Sequence, residues 1–162
     1  MDIAQLAERF KLYAIHSKAI KHDPTAIKKA FLLCDIQDVQ VSIQNGLKFP
    51  CMLMQTPEVE KAGENDSIIE HFEGSFVILD NLPSGSTAEA KLALINNCKT
   101  IADKVYRMML KDSDEYFEGA LVKTAEGLFG PVANTLIGWG VNFGFEQGFD
   151  GESDPNDWEA FA

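Results

Sequence analysis

Apolar residues recur along this chain in two rhythms, and the switches between them mark its elements. Near the start, Ile3, Leu6, Ala7, Phe10, Tyr13 and Ala14 stand mostly three or four positions apart, the spacing that gathers side chains on one face of a helix. Asp2 with Gln5 three residues on has the form of a capping box. Pro24 disfavours helix at the residue before it, so the pattern predicts a first helix that ends by His22 and Asp23. One helical turn, started by Asp23-Pro24-Thr25, is expected through Lys29, and the apolar run from Ala30 to Cys34 reads as extended. Over residues 35–46 the rhythms compete, because Val39, Val41 and Ile43 alternate while Ile36, Val39 and Ile43 also suit a helix. Asp35 as N-cap, Asp38 at N3 and Gly46 just past the end favour a short helix.

From here the alternation dominates. Residues 49–55 are too few for a buried helix and carry Pro50 near their start, where a strand tolerates it. Residues 58–66, charged and holding Gly63, Asn65 and Asp66, read as a loop. Residues 75–79, Ser-Phe-Val-Ile-Leu, form the strongest strand signal, with a possible start at Ile68 and a bulge across Glu73-Gly74. The strongest helix covers residues 86–111: Ser86-Thr87-Ala88-Glu89 has capping-box form with Ser86 as N-cap, and Leu94, Cys98, Ile101, Ala102, Val105, Met108 and Met109 make the apolar stripe. Lys104, Arg107 and Lys111 near its end suit the helix dipole. Residues 120–124 and 128–130 read as two strands flanking a Glu126-Gly127 turn. Residues 137–145 then alternate with period two: Ile137, Trp139, Val141, Phe143 and Phe145 face one way, and Gly138, Gly140, Asn142 and Gly144 the other. The bare face lets another backbone or a helix come close. The expected fold class is α+β: a small mixed or antiparallel sheet of about four strands, packed by one long helix, with an additional N-terminal helix. Residues 1–146 form a single domain, and 147–162 an acidic C-terminal tail with Trp158 and Phe161 as anchors.

Composition supports one domain, since 162 residues with 46% apolar and 24% charged side chains are ordinary for a single core. The charge is less ordinary. The net value is −11, and residues 62–162 hold eighteen Asp/Glu against six Lys/Arg, whereas residues 1–61 hold seven against eight. Contact with a phosphate backbone depends on Lys and Arg, so direct specific nucleic-acid binding and attachment to anionic lipid are not expected. The three cysteines, Cys34, Cys51 and Cys98, are widely spaced with no CxxC. The first residues have acids and a Gln where a secretion signal has a basic and then an apolar region. No apolar run approaches the roughly 18 residues of a membrane helix. Together these predict free, reduced thiols in a protein that stays in the cytoplasm where it is made.

Candidate chemistry is sparse. His16, His22 and His71 show neither HxxxH nor HExxH spacing, so they read as satisfied surface histidines rather than zinc ligands. Asp150, Glu152 and Asp154 suggest a calcium loop, but Pro155 stands where that loop turns on Gly and Phe161 where it needs a bidentate Glu. Gly138-Trp139-Gly140 opens like a dinucleotide fingerprint, yet Phe143 replaces the third Gly. Gly85-Ser86-Thr87 lacks both the nucleophile elbow and the phosphate-loop lysine, and none of the cysteines has an adjacent His to activate it. The expectation is a protein that is not an enzyme, with no catalytic, cofactor-binding or metal-binding residue and no cofactor.

The order helix, small elements, strand, strand, long helix, strand, strand, acidic tail resembles the tail-terminator and tail-completion proteins of long-tailed bacteriophages. It is closer still to phage and prophage proteins of Bacteroidetes. The matching pieces lie between residues 49 and 146: Phe49-Pro50-Cys51-Met52-Leu53, Gly74 to Asp80, the helix end from Ile101 to Met109, Val122 to Pro131, and Asn134 to Phe143. The first 48 residues match poorly, and the glycine alternation at 138–144 departs from the pattern. The resemblance implies a small sheet packed on one face by the long helix. It also implies a homo-oligomeric ring, a hexamer, that caps the tail tube and docks to neck or connector proteins of the virion after synthesis in the host cytoplasm. Genomic DNA would pass through a lumen whose acidic lining repels phosphate. An alternative reading rests on charge: an acidic inhibitor that mimics nucleic acid and binds a host DNA-handling protein. A small-molecule-binding or enzymatic domain is disfavoured, because no polar residues converge at recognisable spacing.

Overall fold

Asp2 opens the first helix as its capping box requires. Gln5 N donates to Asp2 Oδ1 at 2.7 Å and Asp2 N donates to Gln5 Oε1 at 2.9 Å. A computed structural model describes residues 2–34, 46–63, 68–117, 121–132 and 135–149. Its elements run α1 (Ile3–His16), β1 (Lys29–Leu33), β2 (Leu47–Met54), β3 (Glu58–Ala62), β4 (Ile69–Asn81), α2 (Ala88–Tyr116), β5 (Val122–Val132) and β6 (Leu136–Gly148). Helix α1 buries Leu6, Phe10, Tyr13 and Ala14 of the predicted face, while Ala7 is half-buried and Ile3 exposed. It stops at His16 rather than near Asp23, because Lys21 N returns to Ser17 O and His22 N to Ala14 O. That turn, with Lys21 in the left-handed region (φ 50°), tucks Ile20 into the core. The helical turn expected before Lys29 is a turn followed by bends, and the short helix expected over 35–46 lies almost wholly outside the described residues.

The chain is α+β, and its sheet is mixed and six-stranded rather than of about four strands. The path is β1-β2-β4-β6-β5, with β1 parallel to β2 and β3 added alongside β4. Strands β2 and β3 lie end to end along β4: Met54 opposes Phe76, and Glu58 opposes Glu73. Three residues thus span on one side what two span on the other, a one-residue bulge. The charged loop expected at 58–66 is therefore strand over its first half. Of β3 only Val59 is half-buried, so no apolar alternation marked it. The two strands expected around Glu126-Gly127 are one, β5. Glu126 pairs with Val141 and Gly127 with Gly140, and the irregularities fall between Lys123 and Ala125 and between Phe129 and Val132. No bulge interrupts β4 at Gly74: its register with β6 runs unbroken from Ile69↔Gly148 to Asn81↔Leu136.

The register places Phe72, Phe76 and Ile78 of β4 beside Phe145, Val141 and Trp139 of β6 on one face. Both helices pack there. Phe10 of α1 stacks on Phe143 at 5.3 Å and tilts onto Phe76 at 5.5 Å, and Phe117, just past α2, meets Phe145 edge-on at 5.0 Å. The α2 stripe is as predicted for Cys98, Ile101, Ala102, Val105 and Met109, which are buried, whereas Met108 is 44% exposed. Thr87, not Ser86, is the N-cap: its Oγ1 accepts from Ala90 N at 3.2 Å, while Ser86 Oγ donates to Pro83 O at 2.6 Å. The helix continues past Lys111 to Tyr116 because its stripe has a further buried member, Asp112, and Phe117 beyond it. The bare face of β6 serves the sheet itself. A Cβ at Gly138 would strike the backbone carbonyl of Ile78 on the neighbouring strand, so the close partner is β4 and not a helix.

Candidate functional site

Helices α1 and α2 meet through a charged cluster at the edge of the core. Tyr13 and Arg9 stand four positions apart on α1, hence on one face, and both reach Asp112 of α2. Arg9 donates to Asp112 Oδ2 from Nε at 3.0 Å and from Nη2 at 2.5 Å, and Tyr13 OH donates to the same oxygen at 2.9 Å. The pair is mostly removed from water, with side chains 22% and 11% exposed. Burial by itself would lower the Arg9 pKa, but bonds to Tyr13 and Asp112 hold it above its usual value. Burial raises the Tyr13 phenol, and Asp112 adds to that shift. Arg9 and Tyr13 therefore keep their protons across the physiological range, and the cluster is a fixed clamp.

Above the clamp lies a groove of about 530 Å³. Leu12, Val105 and Met108 supply apolar walls, the clamp is its floor, and His16, Lys18 and Lys104 stand at its mouth. His16, Lys18 and Lys104 are exposed. With Arg9 balanced by Asp112, two lysines remain uncompensated by an acid of the lining, in a chain of net charge −11. The volume is that of a ligand-sized pocket. A smaller hollow of about 350 Å³ lies between β4 and β6 and includes His71, whose Nδ1 is 3.0 Å from Glu146 Oε1.

The predicted candidates are scattered. His16 is at the groove mouth, His71 on the sheet and His22 inside. His22 is not the surface residue expected: it is 6% exposed, its Nδ1 accepts from Ala30 N at 3.3 Å, and its ring meets Phe31 at 5.9 Å. Burial, then the positive charges of Lys29 and Lys11, lower its pKa, so the ring is held neutral. Cys34, Cys51 and Cys98 form no disulfide. Burial pushes the Cys51 thiol up strongly and the Cys98 thiol up to about 12, the opposite of an activated nucleophile. Among the described residues no three His, Cys, Asp or Glu side chains are placed to hold a metal, and no helix is long and apolar enough to cross a membrane. Asp150, Glu152 and Asp154 lie outside the described residues. Gly138 and Gly140 lie within β6 rather than ahead of a helix. The clamp was open to sequence reasoning on one point: Asp112 continues the 98-101-105-109 stripe, and a charge on a buried stripe requires a buried partner. No protein-family model matches the chain, and no curated protein matches it.

Proposed function

We propose that this chain is a virion structural protein, the subunit of a ring that terminates a bacteriophage tail tube and joins it to the neck. The supporting observation is the pair of unlike sheet edges. Strands β1 and β5 end the path at opposite sides, and both helices cover the same face. Each edge strand carries exposed apolar side chains: Leu33 is 45% exposed on β1, and Val122 and Leu128 are each 54% exposed on β5. Among the described residues no further strand pairs with either of them, and unpaired edges seek a neighbour. A contact between unlike surfaces repeats head to tail, and where the rotation closes it makes a ring. The acidic excess of residues 62–162 suits a lumen through which DNA slides without being held. Function of this kind lives on surfaces, which accords with dispersed histidines and protonated thiols. The partners are further copies of the chain, tail-tube protein and neck or connector protein, and the chain is not an enzyme.

Native mass spectrometry of the full chain tests the reading. A single discrete oligomer of about six copies is expected, with Leu128→Lys on the β5 edge shifting it toward monomer while the helical signal persists. A chain that stays monomeric and is recovered bound to a host DNA-handling protein would replace this reading with that of a nucleic-acid mimic.

A further inference from the structure

The groove between α1 and α2 has a complement in this chain's own sequence. Its mouth is cationic through Lys18 and Lys104, and Met108 on its wall is 44% exposed although it belongs to the long helix's apolar rhythm. Residues 150–162 contain Asp150, Glu152, Asp154, Asp157 and Glu159, no Lys or Arg, and two large aromatics, Trp158 and Phe161. Acids beside aromatic anchors are the chemistry that a cationic mouth over apolar walls selects: the ring fills the pocket and the carboxylates meet the lysines. The cavity of about 530 Å³ has room for an aromatic side chain with its flanking backbone. Trp158 stands nine residues past Phe149, a reach of up to about 30 Å, enough to cross to an adjacent subunit.

We infer that the groove is a receptor for an acidic segment with aromatic anchors, and that its occupant is Asp157-Trp158-Glu159-Ala160-Phe161 of a second copy of this chain. The inference rests on the ring reading for its second copy, and on the groove alone for its chemistry. Docking of one subunit's segment between the helices of the next would tie neighbours together on the helical face, independently of contacts at the sheet edges.

The test titrates the full-length chain carrying Trp158→Ala/Phe161→Ala, whose own segment leaves the groove open, with a fluorescent peptide of residues 150–162 and follows anisotropy, beside native mass of the unaltered chain. Adding Lys18→Glu/Lys104→Glu to that chain should cost the peptide at least about tenfold in affinity. A peptide carrying Asp157→Lys and Glu159→Lys should recover binding to the lysine-substituted chain. Both lysines are exposed, so circular dichroism and thermal melting should not change. A Trp158→Ala/Phe161→Ala peptide should bind no better than a scrambled one. Equal affinity with and without the lysine substitutions, or undiminished binding of the peptide without aromatics, overturns the inference. An open groove that ignores the peptide, where the unaltered chain forms a ring, overturns it while leaving the ring reading intact. Specific peptide binding, where the unaltered chain remains monomeric, overturns the assignment to a second copy and the ring reading together.

Discussion

Asp112 and His22 show how much a single buried polar residue decides. Asp112 joins two helices by accepting three hydrogen bonds on one oxygen, two from Arg9 and one from Tyr13. Replacing it with Asn keeps the shape and removes the negative charge that faces the Arg9 guanidinium at the helix interface. Asp112→Asn should cost roughly 1.5–3 kcal/mol, the range for hydrogen bonds to charged groups, read from urea unfolding at constant slope. A neutral result would show that the ion pair adds no net stability. His22 acts through protons. Its pKa is lowered in the folded chain from a reference of 6.5, so on acidification the unfolded chain binds the proton first. Its contribution is complete above about pH 6.5, falls as the pH drops below that value, and levels off below the folded pKa. Unfolding curves between pH 7.5 and 5 should therefore show a smaller loss of stability for His22→Gln than for wild type, and identical slopes would refute the buried neutral ring. The sequence hid this site because Ile20 and His22 return to the core through a turn that follows the helix, a tertiary event outside any periodicity.

At the scale of elements, what the sequence revealed was what packing makes periodic. The α1 face, the α2 stripe and the β6 alternation are each set by one buried side and were legible for that reason. Strand β3 was not, because both its faces are mostly exposed and its place is fixed by pairing with β4. The sequence of β5 reads as two strands because Glu126-Gly127 has turn chemistry, yet Glu126 accepts from Lys123 Nζ at 3.0 Å and from Trp139 Nε1 at 3.4 Å, and the strand runs on through the pair. Two substitutions test the packing. Ile101, 3% exposed on α2, should lose about 2–5 kcal/mol as Ile101→Ala, and a neutral outcome in chemical denaturation would mean that α2 packs on another face. Gly138→Ala should be destabilising by about 1–3 kcal/mol, the cost of overpacking, since its methyl would meet the Ile78 carbonyl. Gly127→Ala, with open space around it, should be close to neutral on the same measurement.

At the scale of the molecule, the described residues make a sheet with both of their helices on one face and unlike strands at its two edges, and the second part of the chain is acidic. Its fold class was legible in the sequence; its groove was not, because the walls come from residues nearly a hundred positions apart (Leu12 and Met108) that only the fold brings together. The central claim is that this shape exists to be repeated around an axis. Electron microscopy of the purified full-length chain tests that claim most directly, since class averages report symmetry and closure at once. Closed rings with a central opening and a single rotational symmetry are expected, each subunit presenting one sheet edge to the unlike edge of the next. Isolated monomers, or two-fold dimers related by like surfaces, at concentrations where the chain is fully folded would contradict it.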